Sequence, residues 1–103
     1  MQVFSSEQFG NVRAIMRDGE PWFVAADVCK ALDVGNPSQA IARLEDDEKM
    51  IALISNEGNQ RGNPNMTVVN EPGLYTLILS SRKPEAKVFK RWVTSEILPY
   101  VAA

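Results

Sequence analysis

Apolar and polar residues first alternate with a period of two and later recur at helical spacing. Gln2 to Ser6 forms a strand candidate, followed by a turn near Phe9-Gly10. From Asn11 to Arg17, Val12, Ala14 and Met16 point one way while Arg13, Ile15 and Arg17 point the other. Asp18-Gly19 supplies the positive-φ positions of a tight hairpin turn, and Pro21-Trp22-Phe23-Val24 returns as the partner strand. The pattern then changes. Ala25, Val28, Cys29 and Leu32 fall on one helical stripe, and a break follows at 33–36.

Asn36 is a strong N-cap and Pro37 occupies the favoured first helical position, so a short helix carries Ala40, Ile41 and Leu44 inward. It runs into the four acids Glu45 to Glu48 and stops, because a helix C-terminus favours cations. Lys49 to Ser55 and Met66 to Asn70 are further strands. Between them, the polar, glycine-rich stretch Asn56 to Asn65 reads as the mobile tip of a long hairpin. Asn70 caps a helix that opens with Glu71 and Pro72 and buries Leu74, Tyr75, Leu77 and Ile78. Pro84 and Glu85 open the last helix, and Pro99 is expected to close it. The sum is one α+β domain over residues 1–103: a small antiparallel sheet of hairpins, interleaved short helices and a C-terminal amphipathic helix pair.

Composition narrows the chemistry. The chain has one cysteine and no histidine, which excludes an internal disulfide, the common structural zinc sites and histidine-based triads. No glycine-rich phosphate loop or acidic metal motif occurs, so no cofactor, metal or catalytic constellation is expected and the chain reads as a non-enzyme. No apolar run approaches the ~20 residues of a membrane span. A lone Cys29, taken as a small apolar residue of a buried helix face, suits a reducing intracellular setting.

Charge is distributed unevenly. The net charge is −2, yet five of the eleven cations lie between Arg82 and Arg91. On a helical wheel Lys83, Lys87, Lys90 and Arg91 share a narrow stripe opposite Phe89, Trp92 and Val93, with Ala86 and Val88 flanking the apolar side. A stripe that only solvates a helix usually mixes signs to gain i,i+4 pairs; here Glu85 alone relieves the positives. The stripe therefore points to an anionic polymer, with Arg82, Lys83, Lys87, Lys90 and Arg91 holding phosphates. Glu96 falls within the apolar face of the same wheel. It is expected to be a buried polar tie to Arg13, Arg17 or the Trp22 indole.

Residues 25–44 have the outline of a helix–turn–helix, whose exposed side chains Asn36, Ser38, Gln39 and Arg43 could read base edges. Asp27, Asp33 and the 45–48 run oppose this, since phosphate would be repelled. Arg61, among the amides of the hairpin tip, is a candidate wing contact.

The stretch Trp22-Phe-Val-Ala-Ala-Asp-Val-Cys-Lys-Ala-Leu-Asp-Val-Gly-Asn-Pro-Ser-Gln-Ala-Ile resembles the signature of the BRO family N-terminal domain, found in prophage antirepressors and baculovirus BRO proteins. Residues 71–93, from Glu71-Pro-Gly-Leu-Tyr to Lys-Arg-Trp-Val, are similar to the family's closing motif, which continues through Leu98-Pro99. The resemblance covers essentially the whole chain. It implies a non-enzymatic transcription regulator acting in the cytoplasm of a bacterial host, and the N-terminal module of a longer protein. It leaves two partners open: DNA, or a repressor protein sequestered without DNA. A symmetric homodimer is the ordinary arrangement for regulators of palindromic sites. One departure is Asp33, where the family often has glycine; Asp tolerates a left-handed turn.

Overall fold

The computed structural model of the chain describes residues 2–53 and 65–102, with side chains to Tyr100. Strands β1 (Gln2–Ser6), β2 (Gly10–Arg17) and β3 (Glu20–Val24) form an antiparallel meander. Its second turn is the expected one: Asp18 and Gly19 both have positive φ, 52° and 79°. Strands β4 (Lys49–Leu53) and β5 (Asn65–Val69) make a second hairpin; of its expected tip, Asn56 to Asn65, all but Asn65 lies outside the described residues, and Asn65 opens β5. Pairing of β3 with β5 joins the two units into one five-stranded antiparallel sheet, β1-β2-β3-β5-β4.

Helices α1 (Ala25–Ala31), α2 (Pro37–Ala42), α3 (Glu71–Ser80), α4 (Glu85–Trp92) and α5 (Leu98–Ala102) complete the fold. Both predicted caps form: Gln39 N–H donates to Asn36 Oδ1 at 3.1 Å, and Gly73 N–H donates to Asn70 Oδ1 at 3.0 Å. Asn70 also donates its amide to the Asp47 carbonyl at 2.9 Å, which docks the acidic segment against the start of α3. That segment is itself ordered. Asp46–Glu48 is a 3-10 turn, closed by the Glu45 N–H donating to Glu48 Oε1 at 2.8 Å. Its negative charge sits beside the positive end of the α3 dipole.

One face of the sheet, through Val12, Ala14, Phe23 and Val69, packs on Val28, Cys29, Leu32, Leu74, Leu77, Phe89 and Val93. The other carries a smaller cluster of Trp22, Val24, Ala52 and Val68. Burial pushes the Cys29 thiol up, which keeps it protonated and inert. Where β3 leaves the sheet for α1, Asp27 takes over its edge. The carboxylate accepts the Arg13 backbone N–H at 3.0 Å and two guanidinium N–H groups at 2.8 and 3.0 Å. This fork raises the Arg13 pKa further above its ordinary value, mainly through the Asp27 hydrogen bond.

Gly73 matters through proximity rather than conformation. A Cβ there would lie 2.7 Å from the Glu48 carbonyl oxygen and 3.2 Å from Val69 Cβ, both held in the core wall. Gly73→Ala is expected to destabilise by about 2 kcal/mol, the scale of overpacking, and to lower Tm by roughly 10 °C. Gly35→Ala, where an added Cβ meets open space, is the control in the same thermal melt. Equal melting of the two variants would refute the close-approach argument.

Two expectations for the last helix are corrected. Glu96 is exposed, and Ile97 takes the buried position. The cause is a π-helical turn over Val93–Ile97, in which Leu98 N–H reaches back to the Val93 carbonyl. A wider turn advances each residue by less than the ~100° of an α-helix, so Ile97 swings inward and Glu96 out. The proposed partners are elsewhere: Arg13 is forked on Asp27, Arg17 is exposed, and Trp22 lies on the opposite face of the sheet. Nor does Pro99 end the helix, which continues as α5 to Ala102. The proline ring clashes with the i−4 carbonyl of a regular helix, and the widened turn just before it relieves that clash.

Candidate nucleic-acid interface

The basic surface is built on α4, held to the body by its apolar side. Ala86, Phe89 and Val93 are buried, and Phe89 meets Phe9 edge-on at 5.1 Å. Trp92 stacks on Phe9 at 5.8 Å. With that side fixed, the i, i+3, i+4 spacing of Lys87, Lys90 and Arg91 sends all three outward, where they are exposed. Arg82 and Lys83, in the linker before α4, are exposed as well. The apolar flank is narrower than the wheel suggested, because Val88 is half exposed.

Two of the cations have neighbours. Lys90 Nζ lies 5.6 Å from the centre of the Tyr75 ring on α3, whose hydroxyl donates to Glu71 at 3.1 Å. Burial first, and then the Glu71 bond, raise the Tyr75 pKa. Lys83 pairs with Asp33 at 3.1 Å. Asp33 has φ 54°, so aspartate does occupy the left-handed turn as expected. This contact escaped the sequence reading, which gave Asp33 a charge but no partner. The Ser81 hydroxyl donates to the Leu32 carbonyl at 3.1 Å, so the α1–α2 turn and the α3–α4 linker are tied together. The α1–α2 turn and the linker into α4 therefore share one end of the molecule.

The remaining candidates divide. Ser38, Gln39 and Arg43 are exposed on α2. Asn36 is exposed too, but its side-chain oxygen is engaged in capping. Arg61 lies outside the described residues. The structure thus brings Arg82, Lys83, Lys87, Lys90 and Arg91 onto one helix and its linker, tied to the α1–α2 turn through Leu32 and Asp33. The acidic 3-10 turn docks at the opposite end of α3 from the basic linker, a separation of about 15 Å over ten residues. Among the described residues no group of three acids or sulfur ligands could hold a metal, and no helix is long and apolar enough to cross a membrane.

The family model described as "BRO family, N-terminal domain" matches residues 11–99. An uncharacterized protein of Haemophilus influenzae is 40% identical over 84 residues, covering 81% of this chain and 40% of that protein. Two Bro-N domain-containing proteins of Invertebrate iridescent virus 6, 201R and 289L, are 30% and 31% identical over 100 and 97 residues. The alignments cover 80% and 79% of this chain but only 24% and 23% of those viral proteins. No solved structure matches the chain.

Proposed function

Because the chain belongs to the BRO family through its N-terminal domain, a family of regulatory domains associated with phage antirepressors and DNA-binding regulators, we propose that it binds duplex DNA as part of a transcription regulator. One observation carries this reading. Lys87, Lys90 and Arg91 project together from α4 with no ion pair among the described residues. Segment 82–91 holds five cations and one acid, so the rest of the chain carries a net −6. Such separation orients the domain toward a polyanion before contact. Arg82, Lys83, Lys87, Lys90 and Arg91 hold phosphates, which position the domain without reading sequence. Ser38, Gln39 and Arg43, exposed on α2, supply base or further backbone contacts, and a second copy would repeat them on a palindromic site.

A second reading, capture of a repressor without DNA, is favoured by that same net −6 outside the basic segment. A salt series decides between them. Four or five phosphate contacts predict a log–log slope of roughly −4 for duplex binding, measured by anisotropy on a labelled 25-base-pair duplex. Absence of binding at low salt, or a slope shallower than about −1, would reject the DNA reading and leave the protein partner.

A further inference from the structure

We propose that the groove between β1 and the α4–α5 helix docks an extended segment of a protein partner, one carrying a large apolar side chain and a Lys or Arg two residues apart. The site is separate from the cationic stripe and stands whether or not the domain binds DNA. It is a cavity of about 500 Å³ between Val3, Phe4 and Ser5 on the strand and Trp92, Glu96 and Tyr100 on the helix. Phe4 and Tyr100 meet edge-on at 5.6 Å across it. Even so, Tyr100 is 65% exposed.

Three observations converge on an added strand. First, β1 is the outer strand of the sheet. Its register fixes which backbone groups face out. Val3 lies opposite Arg13, and the Arg13 N–H points away from β1 to Asp27. In an antiparallel ladder this makes Val3–Arg13 a non-hydrogen-bonded pair, so the N–H and C=O of Val3, and by alternation those of Ser5, aim at the open edge. By this register none of the four is spent on β2, and among the described residues no turn, loop or cap bond takes them. They are the template for a sixth strand.

Second, the π-helical turn over Val93–Ile97 swings Glu96 out of the buried face, so that it lines the groove with Trp92 and Tyr100. Turns of this kind interrupt α-helices frequently at functional sites. Third, among the described residues Glu96 is the one charged side chain lining the groove, and it makes no hydrogen bond or ion pair there.

The carboxylate selects the occupant. Nucleic acid is repelled by it. A second copy offering its own β1, Gln-Val-Phe-Ser-Ser, brings no cation to meet it. In an added strand, alternate side chains enter the groove together. An apolar one then packs among Phe4, Trp92 and Tyr100 while a Lys or Arg two residues away reaches Glu96.

The test is a titration of the isotope-labelled chain, followed by amide and indole NMR shifts. The probe is an acetylated nine-residue threonine peptide bearing leucine and lysine two residues apart. Saturable shifts are expected at Val3, Ser5, the Trp92 indole and Tyr100. Glu96→Gln should weaken binding about five- to tenfold, the scale of one charge-assisted contact. Glu96→Lys should reverse the preference, toward the same peptide with glutamate replacing lysine. A peptide N-methylated at alternate residues should not bind. No shifts, shifts confined to Lys87–Arg91, or equal affinity for wild type and Glu96→Gln would overturn the proposal. Glu96 is exposed and unpaired among the described residues, so its variants retain the fold.

Discussion

Reversing three charges on the outward side of α4, Lys87→Glu/Lys90→Glu/Arg91→Glu, is expected to abolish duplex binding while leaving the domain folded. Each phosphate contact contributes close to one unit of log–log salt slope, so loss of three weakens binding by roughly 10³-fold at 0.1 M salt, before added repulsion is counted. All three residues are exposed, and among the described residues the Lys90 side chain alone has a charged or aromatic neighbour, the Tyr75 ring. The melting temperature should therefore fall only slightly. A charge change of −4 away from α4, against −6 for the triple reversal, is supplied by Arg17→Glu/Lys30→Glu, two exposed cations at the end of β2 and on α1. If that control weakens binding as much as the triple change, α4 is not the phosphate-facing surface. Lys83→Ala should matter less than Lys87→Ala, because Asp33 already offsets the Lys83 charge.

The parts of this fold that were legible in sequence are those determined within a few residues. The Asp18-Gly19 hairpin, the Asn36 and Asn70 caps and the α1 stripe each depend on local backbone preference or a single helical turn. The outward cations of α4 were legible for the same reason. Glu96 and Pro99 were misjudged because a wheel assumes one angle per residue throughout, and the Val93–Ile97 turn departs from it. No local pattern announces such a turn beyond the proline that follows. The tertiary ties could not be read at all. Asp33 meets Lys83 fifty residues away, Asp27 replaces a departing strand beside Arg13, and Gly73 is required by the Glu48 carbonyl. Each joins elements whose packing the sequence pattern leaves open. Gly73 stands in the Glu-Pro-Gly-Leu-Tyr motif that marked the family resemblance, and the close approach supplies a physical reason for it.

Phe89→Ala should be among the most destabilising single changes on α4, although the side chain lies on the same helix as the solvated cations. Phe89 is fully buried, edge-on to Phe9 and 5.9 Å from Trp92, and it belongs to the main core. Truncation forfeits its transfer free energy, leaves a cavity and breaks the aromatic contact that holds α4 on the β1–β2 turn. The expected loss is about 3–5 kcal/mol, or roughly 15–25 °C in Tm for a domain of this size. Val88→Ala, one residue earlier and half exposed, should change stability by no more than about 0.5 kcal/mol. Chemical denaturation of the pair checks this, and comparable midpoints would mean that α4 is not anchored through Phe89. The two variants also separate docking from charge. Below its lowered melting point Phe89→Ala retains every cation, so weaker DNA binding there reports a displaced helix. In the triple reversal the helix stays docked and the charge is reversed. A phosphate-binding surface of this design needs both: apolar residues that fix the helix, and cations whose spacing then leaves them no direction but outward.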